Sequence, residues 1–90
     1  MTLEKNIEKA AVAELERRGF FCIKLGLCGL PDRMVLMPGG RVVFLEFKTA
    51  TGRLRAAQAI WKTRLEKMGF YVAIPRTRDD ALAAVLQRAR

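Results

Sequence analysis

Apolar side chains recur at three- and four-residue spacing from Leu3 to Leu15. This period matches the turn of an α-helix and predicts an amphipathic first helix. Thr2 is suited to cap its first turn, and Gly19 is suited to end it, because glycine readily adopts the left-handed conformation that follows a helix. Glu8 falls inside the apolar stripe of this helix, so its side chain is predicted to point toward the core.

Three apolar runs, at residues 20–27, 33–37 and 41–47, are each typical of a β-strand. Pro38-Gly39-Gly40 between the last two predicts a hairpin turn. A three-residue loop pairs Met37 with Arg41 and, counted back along both strands, brings Asp32 opposite Glu46. Both faces of these strands are apolar, which predicts a sheet with helices on both faces.

Helical spacing returns at residues 54–68, and a short strand is predicted at 70–74. Asp79-Asp80 can cap and charge the first turn of a last helix that ends near Arg90. The predicted order is helix, three strands, helix, strand, helix. Neither an internal repeat nor a linker interrupts this order. We therefore expect a single α/β domain over residues 1–90, built on a mixed sheet.

The net charge of the chain narrows the range of expected binding partners. The chain has 17 Lys and Arg against 9 Asp and Glu, a net charge of +8 without histidine, and most of the excess lies in residues 31–90. Such an excess attracts polyanions, so nucleic acid is the expected partner, and a basic surface that only maintains solubility is the alternative. Two cysteines without histidine cannot complete a structural zinc site. They are expected to be reduced thiols of a cytoplasmic protein, with neither a secretory signal nor a membrane anchor.

Glu46 and Lys48 interrupt the apolar third strand and project from the same face. The predicted register places Asp32 beside them. Two carboxylates close together in a partly buried site repel each other and lose hydration, so they persist as anions only if a cation compensates them. All-oxygen ligands favour Mg²⁺ or Mn²⁺. The alternative for Glu46 and Lys48 is an exposed ion pair at a strand end.

The sequence Gly29-Leu30-Pro31-Asp32, followed after the hairpin by Glu46-Phe47-Lys48, resembles the signature of the PD-(D/E)XK nucleases. The chain is similar to the small virus-type replication-repair nuclease (VRR-NUC) domains from its first helix to Ile74. This resemblance implies a restriction-endonuclease-like α-β-β-β-α-β core and a Mg²⁺ cofactor, which Mn²⁺ can replace.

The resemblance also implies roles for individual residues. Asp32, Glu46 and the backbone carbonyl of Phe47 would hold the metal, and Lys48 would orient the attacking water. Related Holliday junction resolvases add a glutamate in the first helix and a glutamine in the helix after the motif. These match Glu8 and Gln58, although Glu4 is also near the apolar stripe and is an alternative to Glu8.

The expected activity is a metal-dependent endonuclease that acts on branched DNA such as Holliday junctions, in the repair or recombination of a bacterial or phage-infected cell. The alternatives are a non-catalytic nucleic-acid-binding module and a scaffold subunit of a replication or recombination complex. Two incisions in a junction require two sites, so a homodimer is expected, with the third strand and second helix, including Trp61, as interface candidates. Basic residues near the motif are the DNA-binding candidates: Arg33, Arg53, Arg55, Lys62 and Arg64.

Overall fold

A computed structural model of the protein describes residues 2–89. Within these residues the helices are α1 (Leu3–Arg17), α2 (Ala56–Lys67) and α3 (Arg78–Arg88), and the strands are β1 (Phe21–Lys24), β2 (Arg33–Met37), β3 (Arg41–Leu45) and β4 (Tyr71–Ala73). A short 3₁₀ turn at Pro38–Gly40 joins β2 to β3. The predicted order of elements is confirmed. None of the helices in this part of the chain is long and apolar enough to span a membrane.

The helix ends follow from local hydrogen bonding. The Thr2 hydroxyl accepts a hydrogen bond from the Lys5 N–H at 3.2 Å, so Thr2 caps α1 as predicted. Gly19, with φ of +93°, follows the last turn of α1, also as predicted. The predicted capping of α3 by Asp79-Asp80 is wrong, because the Thr77 hydroxyl accepts the hydrogen bond from the Asp80 N–H. Asp79 and Asp80 do charge the first turn, as predicted. Arg90, near which this helix was predicted to end, lies outside the described residues.

The sheet has the order β1-β2-β3-β4, with β1 to β3 antiparallel and β4 parallel to β3. Met37 pairs with Arg41 as predicted, and the ladder continues to Arg33 opposite Leu45. The expected ends of β1 and β3 are wrong by a few residues. Beyond Leu45 the chain leaves the ladder with β2 but stays hydrogen-bonded to β4, where the Glu46 N–H donates to the Ala73 carbonyl at 2.9 Å. Residues 46–48 therefore lie at the open end of the sheet.

Helices cover both faces of the sheet, as predicted. Helices α1 and α3 cover one face, whose large core cluster includes Leu15, Val35, Val43, Phe47 and Val85. Helix α2 covers part of the other face over a smaller cluster of Phe44, Leu65 and Val72.

The apolar stripe predicted for the second helix is partly wrong. Leu54 precedes α2, and Met68 follows it with 64% of its surface exposed, so Leu65 is the buried residue of this helix. Because α2 packs against β4, the same face of the sheet stays uncovered at β1. Phe21 is 70% exposed and Ile23 is 41% exposed there, beside the half-buried Leu36 and Met34. We call Phe21, Ile23, Met34 and Leu36 the open face.

Candidate active site

Asp32 and Glu46 lie side by side at the open end of the sheet. The Phe47 N–H donates a 2.8 Å hydrogen bond to Asp32 Oδ2, which fixes this carboxylate against the residue after Glu46. The Glu46 residue is only 3% exposed. The β2-β3 ladder ends one residue earlier, at Arg33 opposite Leu45, but the hydrogen bond from Phe47 and the effect of the Asp32 charge on Glu46 show that the two carboxylates are neighbours, as the sequence predicted.

Lys48 lies on the same side of the chain as Glu46, as the alternation of side chains predicted. Its Nζ is 3.5 Å from Glu46 Oε2, and both side chains are buried. An exposed ion pair at a strand end is therefore excluded. Phe47, between them, points to the opposite face and fills the core under α1 and α3.

Gln58 reaches the same carboxylate from α2. Its Nε2 donates to Glu46 Oε2 at 3.1 Å, while its Oε1 accepts a hydrogen bond from the Arg55 N–H at 2.8 Å. The first bond orients Glu46, and the second caps the start of α2. Gln58 thus bonds both to the Glu46 carboxylate and to the backbone at the start of α2.

Burial, together with the neighbouring Asp32 charge, raises the pKa of Glu46 to about 7 against the opposing charge of Lys48. Burial also raises the pKa of Asp32, although the hydrogen bond from the Phe47 N–H partly offsets this. Glu46 Oε1 is buried and has no hydrogen-bond partner among the described residues. An unsatisfied carboxylate oxygen beside a second carboxylate fits a divalent cation with oxygen ligands.

Glu8 is buried, at 6% exposure, as its place in the apolar stripe predicted. It is also paired with a cation, since Arg33 Nε donates to Glu8 Oε2 at 2.8 Å. The charges of Glu8 and Glu4 both raise the pKa of Asp32, and the charge of Glu4 also raises that of Glu46. Across residues 2–89, no three acidic or cysteine side chains lie close enough together to hold one metal ion. The structure thus assembles two carboxylates and places two others nearby.

The five DNA-binding candidates have different surroundings. Arg33 is turned inward by Glu8 and by the Cys22 carbonyl, which accepts from Arg33 Nη1 at 3.2 Å. Lys62 forms a 2.8 Å ion pair with Glu66. The remaining three candidates are exposed: Arg53, Arg55 and Arg64. The Arg64 guanidinium stacks 5.2 Å from the centre of the Trp61 ring.

Arg76 is a residue of the site region that sequence reasoning missed. Its Nη1 donates to the Thr49 carbonyl at 2.6 Å and to the Gly52 carbonyl at 2.7 Å. These bonds fasten the loop that follows Lys48 to the segment after β4. The apolar periodicity of the sequence does not identify Arg76 as a site residue. Its position directly after Pro75 is the only local sequence feature that marks it.

Gly29 is the first residue of the Gly29-Leu30-Pro31-Asp32 motif, and its surroundings explain why glycine is required there. Its φ is +85°, and a β-carbon built there would lie 2.9 Å from Trp61 Cδ1. Glycine therefore lets the loop that carries Asp32 pack directly on α2, the helix that carries Gln58. The Trp61 side chain therefore packs against a loop of its own chain.

Comparisons with known proteins agree with this geometry. The chain is 32% identical over 79 residues to "Putative nuclease p44" of Acyrthosiphon pisum secondary endosymbiont phage 1, which covers 84% of this chain and 85% of that protein. A solved structure described as a VRR_NUC domain superposes with a TM-score of 0.84 at 26% identity, over 96% of this chain and 97% of the other. No family model matches the chain.

The fold and these relatives define a nuclease-type domain. The chain belongs to the VRR_NUC family.

Proposed function

We propose that the protein is a metal-dependent endonuclease that hydrolyses phosphodiester bonds in DNA. The observation that supports this most directly is the buried Glu46 carboxylate beside the half-buried Asp32. Glu46 Oε2 lies 3.5 Å from Lys48 Nζ, and Glu46 Oε1 has no hydrogen-bond partner among the described residues. Asp32, Glu46 and the Phe47 carbonyl would hold Mg²⁺, with Mn²⁺ as a substitute and Glu8 as a further ligand from α1. Such an ion would polarise a phosphoryl oxygen and stabilise its developing charge.

The chain's own residues have distinct tasks in this proposal. Lys48 holds the attacking water, because its ammonium is the cation next to Glu46. Gln58 keeps the Glu46 carboxylate in one orientation, and the Phe47 N–H does the same for Asp32. Groups held this way before substrate arrives need little reorganisation during the reaction.

DNA binding in this proposal is mainly electrostatic. The net charge of +8 and the exposed Arg53, Arg55 and Arg64 would meet backbone phosphates, so affinity should be largely independent of base sequence. It should also fall steeply as salt concentration rises, because each phosphate contact releases counterions.

Branched DNA and a homodimer form the finer part of the proposal. Each chain supplies one candidate site, whereas a four-way junction needs two incisions related by approximate two-fold symmetry. The open face offers apolar surface for a two-fold contact, led by Phe21 and Ile23 on the edge strand β1. Trp61 is a weaker candidate than expected, because it packs on Gly29.

Cleavage of plasmid DNA with Mg²⁺, and with EDTA, tests the chemistry. Asp32→Asn, Glu46→Gln and Lys48→Ala should each abolish cutting while the circular dichroism spectrum stays that of the folded protein. Asp79→Asn, which changes an exposed carboxylate on α3, is the matched control and should cut normally. Cutting in EDTA, or full activity of Glu46→Gln, would overturn the proposal.

Light scattering and substrate competition test the finer part. The wild-type chain should scatter as a dimer at micromolar concentration, and Phe21→Ser should shift it toward the monomer. A labelled four-way junction should be cut in preference to flap and linear duplex competitors. If the chain is a monomer that cuts junction, flap and linear duplex equally, the proposed dimer and junction preference are wrong and the proposed nuclease activity stands.

A further inference from the structure

A groove of about 400 Å³ lies between α1 and the β1-β2 ladder. We call it the α1–β1 groove. One stripe of α1 forms its first wall, where Lys5, Glu8, Lys9 and Val12 recur at three- and four-residue spacing. The end of β1 and the start of β2 form the other wall, through Lys24 and Arg33.

The groove is basic, and part of its charge is unpaired. Two acidic residues line the groove, Glu8 and Glu16. Four cationic residues line it as well: Lys5, Lys9, Lys24 and Arg33. Glu8 is already engaged by Arg33. Lys9 and Lys24 form no ion pair with any residue in the described range 2–89. Both ammonium groups are therefore available to an anion.

The register of the sheet adds a second, independent observation. Lys24 lies directly opposite Arg33 in the β1-β2 ladder, so two cations face each other on one side of the sheet. Like charges directly opposite are destabilising in a ladder. Glu8 neutralises Arg33 but leaves Lys24 uncompensated. A bound anion would relieve this repulsion.

The groove adjoins the candidate active site. Arg33 directly follows Asp32 and bonds to Glu8 at 2.8 Å, so the groove begins one residue from the site. A DNA strand that continued from Asp32 and Glu46 past Arg33 would meet Lys9 and Lys24 with its flanking phosphates. The aliphatic surface of Val12 and of the lysine stems suits the sugars between phosphates.

We propose that the α1–β1 groove binds the sugar-phosphate backbone of the DNA strand that flanks the cut, with Lys9 and Lys24 as its phosphate contacts. This inference rests on the proposed nuclease function and extends the DNA-binding surface to α1 and β1. The charge distribution along the sequence pointed instead to residues 31–90. The occupant is the phosphate backbone because the unpaired charges of the groove are lysine ammonium groups, which bind phosphates as point charges.

The test is the salt dependence of DNA binding, measured by fluorescence anisotropy of a labelled duplex in EDTA, where no cutting occurs. Log affinity should fall linearly with log salt concentration, by about 0.9 per phosphate contact. The double variant Lys9→Ala/Lys24→Ala should lower that slope by about 2, since it removes two contacts. Both side chains are exposed, so the variant should keep the wild-type circular dichroism spectrum.

The matched control is the double variant Arg17→Ala/Lys67→Ala, which removes the same net charge from exposed residues at the far ends of α1 and α2. It should keep the wild-type slope. Equal slopes for the two double variants would overturn the groove assignment. Cleavage by the wild-type chain with Mg²⁺ is scored separately, so a chain that cuts DNA but shows equal slopes refutes only the groove. A chain with the expected slope difference that never cuts refutes only the nuclease.

Discussion

Arg33 Nε donates a 2.8 Å hydrogen bond to Glu8 Oε2, and this ion pair ties helix α1 to the residue that directly follows Asp32. The Glu8 side chain is buried and that of Arg33 is only partly exposed. Removing one partner of such a pair leaves the other charge poorly solvated and without its counter-ion. Glu8 therefore stabilises the fold in addition to being a candidate metal ligand, and its two contributions need separate measurements.

We expect Glu8→Gln to impair cleavage far more than Glu4→Gln. Glu8 is buried next to Arg33, and its charge acts on Asp32 more strongly than that of Glu4. Glu8→Gln should also lower the free energy of unfolding, by on the order of 2 kcal/mol, because Arg33 loses its counter-ion. Cleavage rates and urea denaturation of both variants check this.

Calorimetric titration with Mn²⁺ separates the two contributions of Glu8. A ligand role lowers metal affinity in Glu8→Gln, whereas a purely structural role lowers stability and leaves metal affinity at the wild-type value. If Glu4→Gln is the weaker metal binder, Glu4 is the α1 ligand and the assignment of Glu8 is wrong.

The stability of the metal-free protein should fall as pH rises from about 4.5 to about 7. The pKa of Glu46 is about 7 in the folded protein against an ordinary value of 4.5, so the folded state holds this proton more tightly than the unfolded chain does. The contribution is fully present below pH 4.5 and is lost as pH rises through 7, with a loss on the order of 2 kcal/mol. Urea denaturation in EDTA across this range measures it.

Glu46→Gln is the matched variant for that measurement, because it keeps the shape of the side chain and removes its titration. Its pH profile should lack most of the decline between pH 4.5 and 7. Parallel profiles for the wild type and Glu46→Gln would show that Glu46 titrates near its ordinary pKa in the folded protein.

Arg76→Ala should reduce turnover and raise KM together. The guanidinium binds the Thr49 and Gly52 carbonyls, and this loop connects Lys48 to the exposed Arg53 and Arg55. Releasing the loop should displace Lys48 and lower kcat by on the order of tenfold, since small misplacements of catalytic groups are costly. Steady-state cleavage kinetics measure both constants.

Arg78→Ala, an exposed arginine two residues further on, is the control for this experiment and should keep the wild-type kinetics. If Arg76→Ala only lowers the unfolding midpoint while kcat and KM stay unchanged, Arg76 supports the fold without positioning the site.

Gly29→Ala should destabilise the protein more than Gly39→Ala. Both glycines have positive φ, of +85° and +81°, so each substitution carries a similar backbone penalty of about 1 kcal/mol. At Gly29 the new β-carbon would also meet Trp61 at 2.9 Å, whereas nothing lies within 4 Å at Gly39. The difference, expected at about 1–2 kcal/mol by urea denaturation, isolates the packing of the motif loop on α2. Equal losses would contradict this contact.

The sequence predicted the paired carboxylates because two local rules fix them. The length of the turn at Pro38–Gly40 sets the hairpin register, and strand alternation sends Glu46 and Lys48 to one face. The inward turn of Arg33 depends on its neighbour Glu8, which is 25 residues away in the sequence and on another element. Local patterns carry no signal for such a contact.

Helix α2 shows the same limit. Its predicted apolar stripe extended to Met68, yet that side chain is exposed because α2 packs along β4 and leaves much of the sheet uncovered. The position of a helix on a sheet depends on how the connecting loops place it. Arg76 was missed for a related reason, since its partners are backbone carbonyls, which any sequence supplies.

Phe47 connects the inside of the protein to its chemistry through a single peptide unit. The ring of Phe47 is fully buried in the core under α1 and α3, while its N–H fixes the Asp32 carboxylate at 2.8 Å. A substitution that repacks this ring is therefore expected to move the N–H that orients Asp32. In the proposed nuclease, the packing of the core and the orientation of a metal ligand therefore depend on one residue.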